Sequence, residues 1–165
     1  MKIISIDPGY DRVGIAIMEK KSGKEVILFS ECFTTDKSEE IRDRIFSIGE
    51  RVEELIKKYK PNLFAIENLF FTNNQKTAMG VAEARGAMIY VANKASLPVA
   101  EFTPLQIKTA MAGHGKATKT EVHKMVSMIC NLEDRKYIDD EIDAIAVGVT
   151  AFSHLPTLRI HNKNI

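Results

Sequence analysis

The chain has 165 residues, of which 45% are hydrophobic and 27% charged, with 23 Lys and Arg against 22 Asp and Glu. This is the composition of one folded domain and excludes general disorder, while a net charge of +1 excludes a uniformly basic nucleic-acid coat but not a local basic patch. Cys32 and Cys130 form no CxxC pair, so no zinc site or redox motif is read; no apolar run reaches the roughly 18 residues of a membrane span, and Asp7 comes too early for a signal peptide, so the expected setting is the cytoplasm.

Three strands are expected first, over 2–7, 13–19 and 25–33, joined by short turns containing Pro8, Gly9, Asp11, Ser22 and Gly23. Short turns between strands mark an antiparallel meander. A helix is expected over 38–58, because Ile41, Ile45, Ile48, Val52 and Leu55 fall on one helical stripe. Asp36 with Glu39 resembles its capping arrangement, and Pro61-Asn62 ends it. Residues 63–67 then read as a buried strand ending in an acid. A second long helix over 74–95 is rich in small residues, from Ala78 to Ala92, and is expected to pack closely against a sheet or another subunit. A short strand over 97–102 precedes three helical pieces near 104–112, 118–130 and 139–153. The order βββαβαβ followed by helices predicts an α/β fold: a mixed five-stranded sheet, antiparallel meander plus parallel strands, flanked by helices.

Two of the strands end in the wrong residue type for a core. Asp7 closes the first apolar run and Glu67 the fourth. An ionised carboxylate at such a place is costly unless something positive meets it. One such acid has an ordinary explanation as a cap or turn. Two point to a shared site, since ligand sites gather at the carboxyl ends of parallel strands. A third cluster, Asp139-Asp140-Glu141-Ile142-Asp143, opens the last helix. Offsetting the helix dipole accounts for Asp139 and Glu141. It accounts less well for Asp143, which shares a helix face with Asp140 and lies a turn further in, beside an apolar run. If Asp7, Glu67, Asp140 and Asp143 converge, their repulsion calls for hard divalent cations such as Mg²⁺ or Mn²⁺. Two ions about 4 Å apart would suit phosphoryl-transfer hydrolysis without any side-chain nucleophile.

The segments Ile6-Asp7-Pro8-Gly9, Ala65-Ile66-Glu67 and Asp140-Glu141-Ile142-Asp143-Ala144, with Ala84-Arg85-Gly86 and the run Gly113 to Lys119, together resemble the RuvC family of Holliday junction resolvases, within the RNase H-like superfamily. The resemblance covers residues 1 to about 153. It implies a single RNase H-like nuclease domain over 1–153 and a C-terminal tail, 154–165, expected to be flexible unless tied down. It implies that Asp7, Glu67, Asp140 and Asp143 are the catalytic metal ligands, with two Mg²⁺ per site and Mn²⁺ as a substitute. Some members carry a histidine at the position matching Asp140. The implied activity is symmetric nicking of four-way DNA junctions by a homodimer, leaving 5′-phosphate and 3′-hydroxyl ends. The implied partners are the RuvA and RuvB branch-migration proteins.

DNA contacts are expected in two places. Phe70 and Phe71 stand in a polar segment after Glu67. They are either a cap on the core or a stacking platform for unpaired bases, worth about 1–3 kcal/mol per base. An aromatic at the position of Phe70 is a family feature. The second place is the stretch from Thr103 to Met125, where Lys108, Lys116, Lys119 and Lys124 meet one acid, Glu121. Gly113 and Gly115 would let backbone amides approach a phosphate there. Lys108 and Lys119 resemble lysines that the family places near the scissile phosphate, and His114 is a weaker candidate. Arg85 is expected either on DNA or on a carboxylate within a dimer. A related nuclease-like fold serving another RNA- or DNA-processing task is an alternative, and two other classes fit less of the chain. Asp7-Pro8-Gly9 with Gly14 resembles the phosphate loop of sugar-kinase and actin-like ATPases, which need a second domain. A non-catalytic DNA-binding module would have no use for four acids beside phosphate.

Overall fold

A computed structural model describes residues 1–69, 75–132 and 136–155. The chain runs β1 (Lys2–Asp7), β2 (Arg12–Lys21), β3 (Lys24–Thr34), α1 (Ile41–Tyr59), β4 (Leu63–Glu67), α2 (Gln75–Lys94), β5 (Val99–Phe102), α3 (Pro104–Ala112), α4 (Lys119–Cys130) and α5 (Asp139–His154). The strands form one sheet in the order β3-β2-β1-β4-β5. β1–β2 and β2–β3 pair antiparallel, whereas β1–β4 and β4–β5 pair parallel. This is the mixed five-stranded sheet expected from the element order. α5 reaches His154, one residue beyond the expected domain end. The tail from residue 156 and the aromatic pair Phe70–Phe71 lie outside the described residues.

Both faces of the sheet are covered, which is why β1 and β4 read as continuous apolar runs rather than alternating ones. Ile3, Leu63, Ala65 and Phe102 face one core, shared with α3, α4 and α5. Ile4, Ile6, Ile15, Phe64 and Ile66 face the other, under α1 and α2. In α1 the buried stripe is Ile48, Val52, Leu55 and Ile56, while Ile41 is largely exposed. In α2, Ala84, Met88 and Ala92 repeat every four residues and are fully buried against the sheet. Met79 and Tyr90 stand out from this helix, 64% and 68% exposed.

The expected cap of α1 is not formed. Asp36 instead accepts from the Ser38 backbone and hydroxyl, at 2.8 and 2.7 Å, and Glu40 is the capping residue without a side-chain bond. An Asx-type turn has taken the side chain that would otherwise have capped the helix.

α5 lies unusually close to the sheet. A β-carbon on Gly148 would collide with Met18 Sδ and come within 2.8 Å of Ser5 Oγ. A β-carbon on Gly14 would collide with the carbonyl of Asp140 and come within 3.1 Å of Asp7 Cβ. Gly14 lets the amino end of α5 settle over the ends of β1 and β2, and Gly148 lets its middle lie against the same two strands.

Candidate active site

The parallel pairing of β1 and β4 runs in register from Ile3–Leu63 to Ile6–Ile66. The next residue on each strand is an acid, so Asp7 and Glu67 emerge side by side at the carboxyl edge. Asp7 also pairs with Gly14 on β2, and the backbone of Asp140 rests over that glycine. Asp143 follows one turn later and lines, with Glu67, a cleft of about 210 Å³. Four carboxylates from three distant parts of the chain thus meet at one edge of the sheet.

Their electrostatics record the crowding. Burial holds Asp7 protonated well above the usual carboxylate range, and the charges of Glu67, Asp143 and Asp140 push it further up. Burial and then Asp143 raise Glu67 to about 7, against partial relief from Asp7, Lys108 and Lys119. Like charges that share a low-dielectric site behave this way.

The two helix acids are held differently. Asp140 pairs with Arg12 from the start of β2. Asp143 Oδ2 lies 2.8 Å from Lys119 Nζ, and its Oδ1 lies 2.8 Å from His123 Nε2. Ionised Asp143 can only accept, so that ring nitrogen donates. Asp139 is mostly exposed and meets Lys119 at 3.5 Å. Glu141 is buried and folds back to accept from the Ile138 amide at 3.0 Å. Neither of these two acids faces the cleft.

Among the described residues, no three His, Cys, Asp or Glu side chains stand as a ready-made metal-ligand set. The reason is visible in the pairings: Arg12, Lys119 and His123 turn the helix carboxylates toward themselves. The donor chemistry nevertheless fits a hard divalent ion. All four candidates are carboxylates, and the two on the strands carry repulsion that only added positive charge would relieve.

Lys108 and Lys119 both line the cleft, beside Pro104, Ile107, Val122 and Ala146. Lys116 is exposed in the turn between α3 and α4, and His114 is exposed beside it. The expectation that Gly113 opens its amide to an anion is not met. Gly113 is the left-handed cap of α3, φ +79°, and its N–H already donates to Thr109 at 2.9 Å. At position 115 a β-carbon would collide with Leu105.

Arg85 is not a free DNA contact. Its Nε donates to the carbonyl of Glu67 at 3.0 Å, and its guanidinium also bonds Asn68 Oδ1, at 2.7 Å, and Glu101. Of the two expected roles, the carboxylate is met, but within the same chain rather than across a dimer. Arg85 clamps the end of β4 and so fixes where Glu67 points. Arg85→Ala is expected to cost about 1–3 kcal/mol of stability, because Glu101 and the Glu67 carbonyl lose a mostly buried partner. A thermal melt unchanged from wild type would contradict the clamp.

Arg12 and His123 join the site without belonging to any of the motifs above. His123 lies one helical turn after Lys119, so the i,i+4 spacing offered a signal. Arg12 meets a partner 128 residues away, and nothing local marks it.

The RuvC family model, crossover junction endodeoxyribonuclease RuvC, matches residues 3–151. The crossover junction endodeoxyribonuclease RuvC of Moorella thermoacetica is 40% identical over 156 residues, covering 94% of this chain and 93% of that protein. The structure of Thermus thermophilus RuvC superposes with a TM-score of 0.86 at 32% identity, covering 95% of this chain and 96% of the other. The same RuvC in complex with a Holliday junction substrate gives 0.85 at 28% identity over the same shares. With the acids at the sheet edge and the match running almost end to end, the chain belongs to the RuvC family of crossover junction endodeoxyribonucleases.

Proposed function

We propose that this chain resolves four-way (Holliday) DNA junctions by divalent-metal-dependent hydrolysis, nicking strands to leave 5′-phosphate and 3′-hydroxyl ends. The observation that carries the chemistry is the convergence of Asp7, Glu67, Asp140 and Asp143, read from the charges that raise Asp7 and Glu67. Mg²⁺, two ions per site with Mn²⁺ as substitute, would supply water activation and neutralisation of the leaving oxygen. Asp7 and Glu67 would hold it from the strands, and Asp140 and Asp143 from α5.

The rest of the site positions the substrate. Lys108 and Lys119 put positive charge on the cleft beside Glu67 and Asp143. That charge attracts a phosphate to a wall of acids that would otherwise repel it. Ile107, Val122 and Ala146 supply an apolar floor that limits water. His123 keeps Asp143 oriented, and Arg85 keeps Glu67 in place. Lys116 extends the basic strip toward flanking DNA, and Phe70 is assigned to stacking at the crossover.

Two symmetric cuts need two sites, so the working form is a homodimer. The outward face of α2 suits that role. Met79 and Tyr90 are exposed there, and a β-carbon on Gly86 would meet open space. RuvA and RuvB are the proposed partners, and the cytoplasm the proposed setting.

The test is nicking of a synthetic four-way junction beside a linear duplex of the same sequence, in Mg²⁺ and in EDTA. Cleavage is expected only for the junction in Mg²⁺, with ends that ligase can seal. Equal cutting of the duplex, or cutting in EDTA, would refute the reading.

A further inference from the structure

The acid cluster is charged asymmetrically. Asp7 and Glu67 form no ion pair among the described residues, whereas both α5 acids are taken up by the chain's own cations. Lys119 lines the cleft and has Asp139 as a second partner, and His123 holds the other oxygen of Asp143. Arg12 is different. It opens β2 outside the cleft, two residues before Gly14. Because Gly14 has no side chain, the backbone of Asp140 comes down onto this strand, within reach of the Arg12 guanidinium.

We propose that Arg12 competes with the divalent ion for Asp140, so that filling the site requires its release and Arg12 sets the ion concentration at which this happens. The inference rests on the metal-site reading above. Asp140 cannot give Oδ2 both to a guanidinium and to a metal ion without bringing two cations into contact. Arg12 can leave: its side chain is 50% exposed, against 22% for Asp140. An ion pair of that exposure is weak, and an ion of charge two can displace it. The guanidinium also interacts with the Cys32 thiol on β3. A neutral thiol does not hold a cation firmly, so displacement breaks no second ion pair. Metal-free, Arg12 offsets part of the cluster's negative charge. Metal-loaded, it swings into solvent at the rim of the site.

Two consequences follow for binding itself, without reference to cleavage. Removing the guanidinium should tighten the ion, and restoring a positive charge should loosen it again. Mg²⁺ titrations of the full-length protein, read by melting temperature and by calorimetry at fixed ionic strength, compare wild type, Arg12→Gln, Arg12→Lys and Asp7→Asn. Arg12→Gln is expected to half-saturate at about three- to tenfold lower Mg²⁺, and that gain should shrink as KCl is raised. Arg12→Lys is expected to stay within about twofold of wild type. An Arg12→Gln midpoint equal to or above wild type would overturn the inference, since Arg12 would then be supporting Asp140 rather than occupying it. Arg12→Lys behaving like Arg12→Gln would also overturn competition by charge. Failure of the parent reading looks different. Wild type would show no Mg²⁺ response, or Asp7→Asn would keep it unchanged, and both ideas would fall together.

Discussion

Asp7→Asn is expected to abolish junction cleavage while leaving junction binding intact and making the metal-free protein more stable. The three outcomes share one cause. Asp7 is the most crowded carboxylate of the set, half-buried and acted on by the charges of Glu67, Asp143 and Asp140. An amide of the same shape keeps the packing beside Gly14 but removes a charged oxygen ligand. Loss of a ligand from such a site should slow cleavage by about a thousandfold or more, some 4 kcal/mol of transition-state stabilisation. The same change removes repulsion from the apo protein, so its melting temperature in EDTA should rise by a few degrees, about 1–2 kcal/mol. Binding rests on the lysines and should persist. A variant that still cuts at the wild-type rate would remove Asp7 from the chemistry. One that cuts poorly and also melts lower would show a folding defect instead.

The second large effect is on stability against pH. Glu67 titrates at about 7 in the folded chain and near 4.5 unfolded, and Asp7 is raised as well. Between those values the folded chain binds more protons than the unfolded one, so stability falls as pH rises. The stabilisation from the Glu67 proton is fully present below about pH 4.5 and is lost as pH rises through about 7, and Asp7 acts in the same direction. Glu67 alone corresponds to roughly 3 kcal/mol across that window. Asp36, Glu53 and Glu121, held below their ordinary range by hydrogen bonds, act with the opposite sign. Their stabilisation is lost as pH falls below about 4.5, outside the window. In EDTA the melting temperature should therefore drop from pH 5 to pH 8. In saturating Mg²⁺ the drop should flatten or reverse, because an ion binds the deprotonated carboxylates. The same slope with and without Mg²⁺ would separate the raised acids from any metal site.

Much of this architecture is written locally. The runs ending at Asp7 and Glu67 are legible because both faces of β1 and β4 are buried, leaving no polar alternation to blur them. The stripe of α1 is legible for the complementary reason. What could not be read was pairing across distance. Asp36 looked like a cap but found Ser38 first, two residues on. Arg85 was expected on DNA or across a dimer, and its true partners converge only when β4 and β5 lie side by side. Gly113 looked like part of a phosphate cradle, whereas it serves as the left-handed end of α3. Arg12 belongs to the candidate site only because α5 folds back over β2.

That return of α5 has a consequence for how the protein tolerates change. Gly14 and Gly148 contribute no side-chain donor, acceptor or charge, yet one supports the first turn of α5 and the other its middle. A single added methyl at either place would act as a shim, tilting the helix and displacing Asp140 and Asp143 together. Such a variant would keep every ligand and still lose its aim, so silent positions in the sequence govern the alignment of the reactive ones.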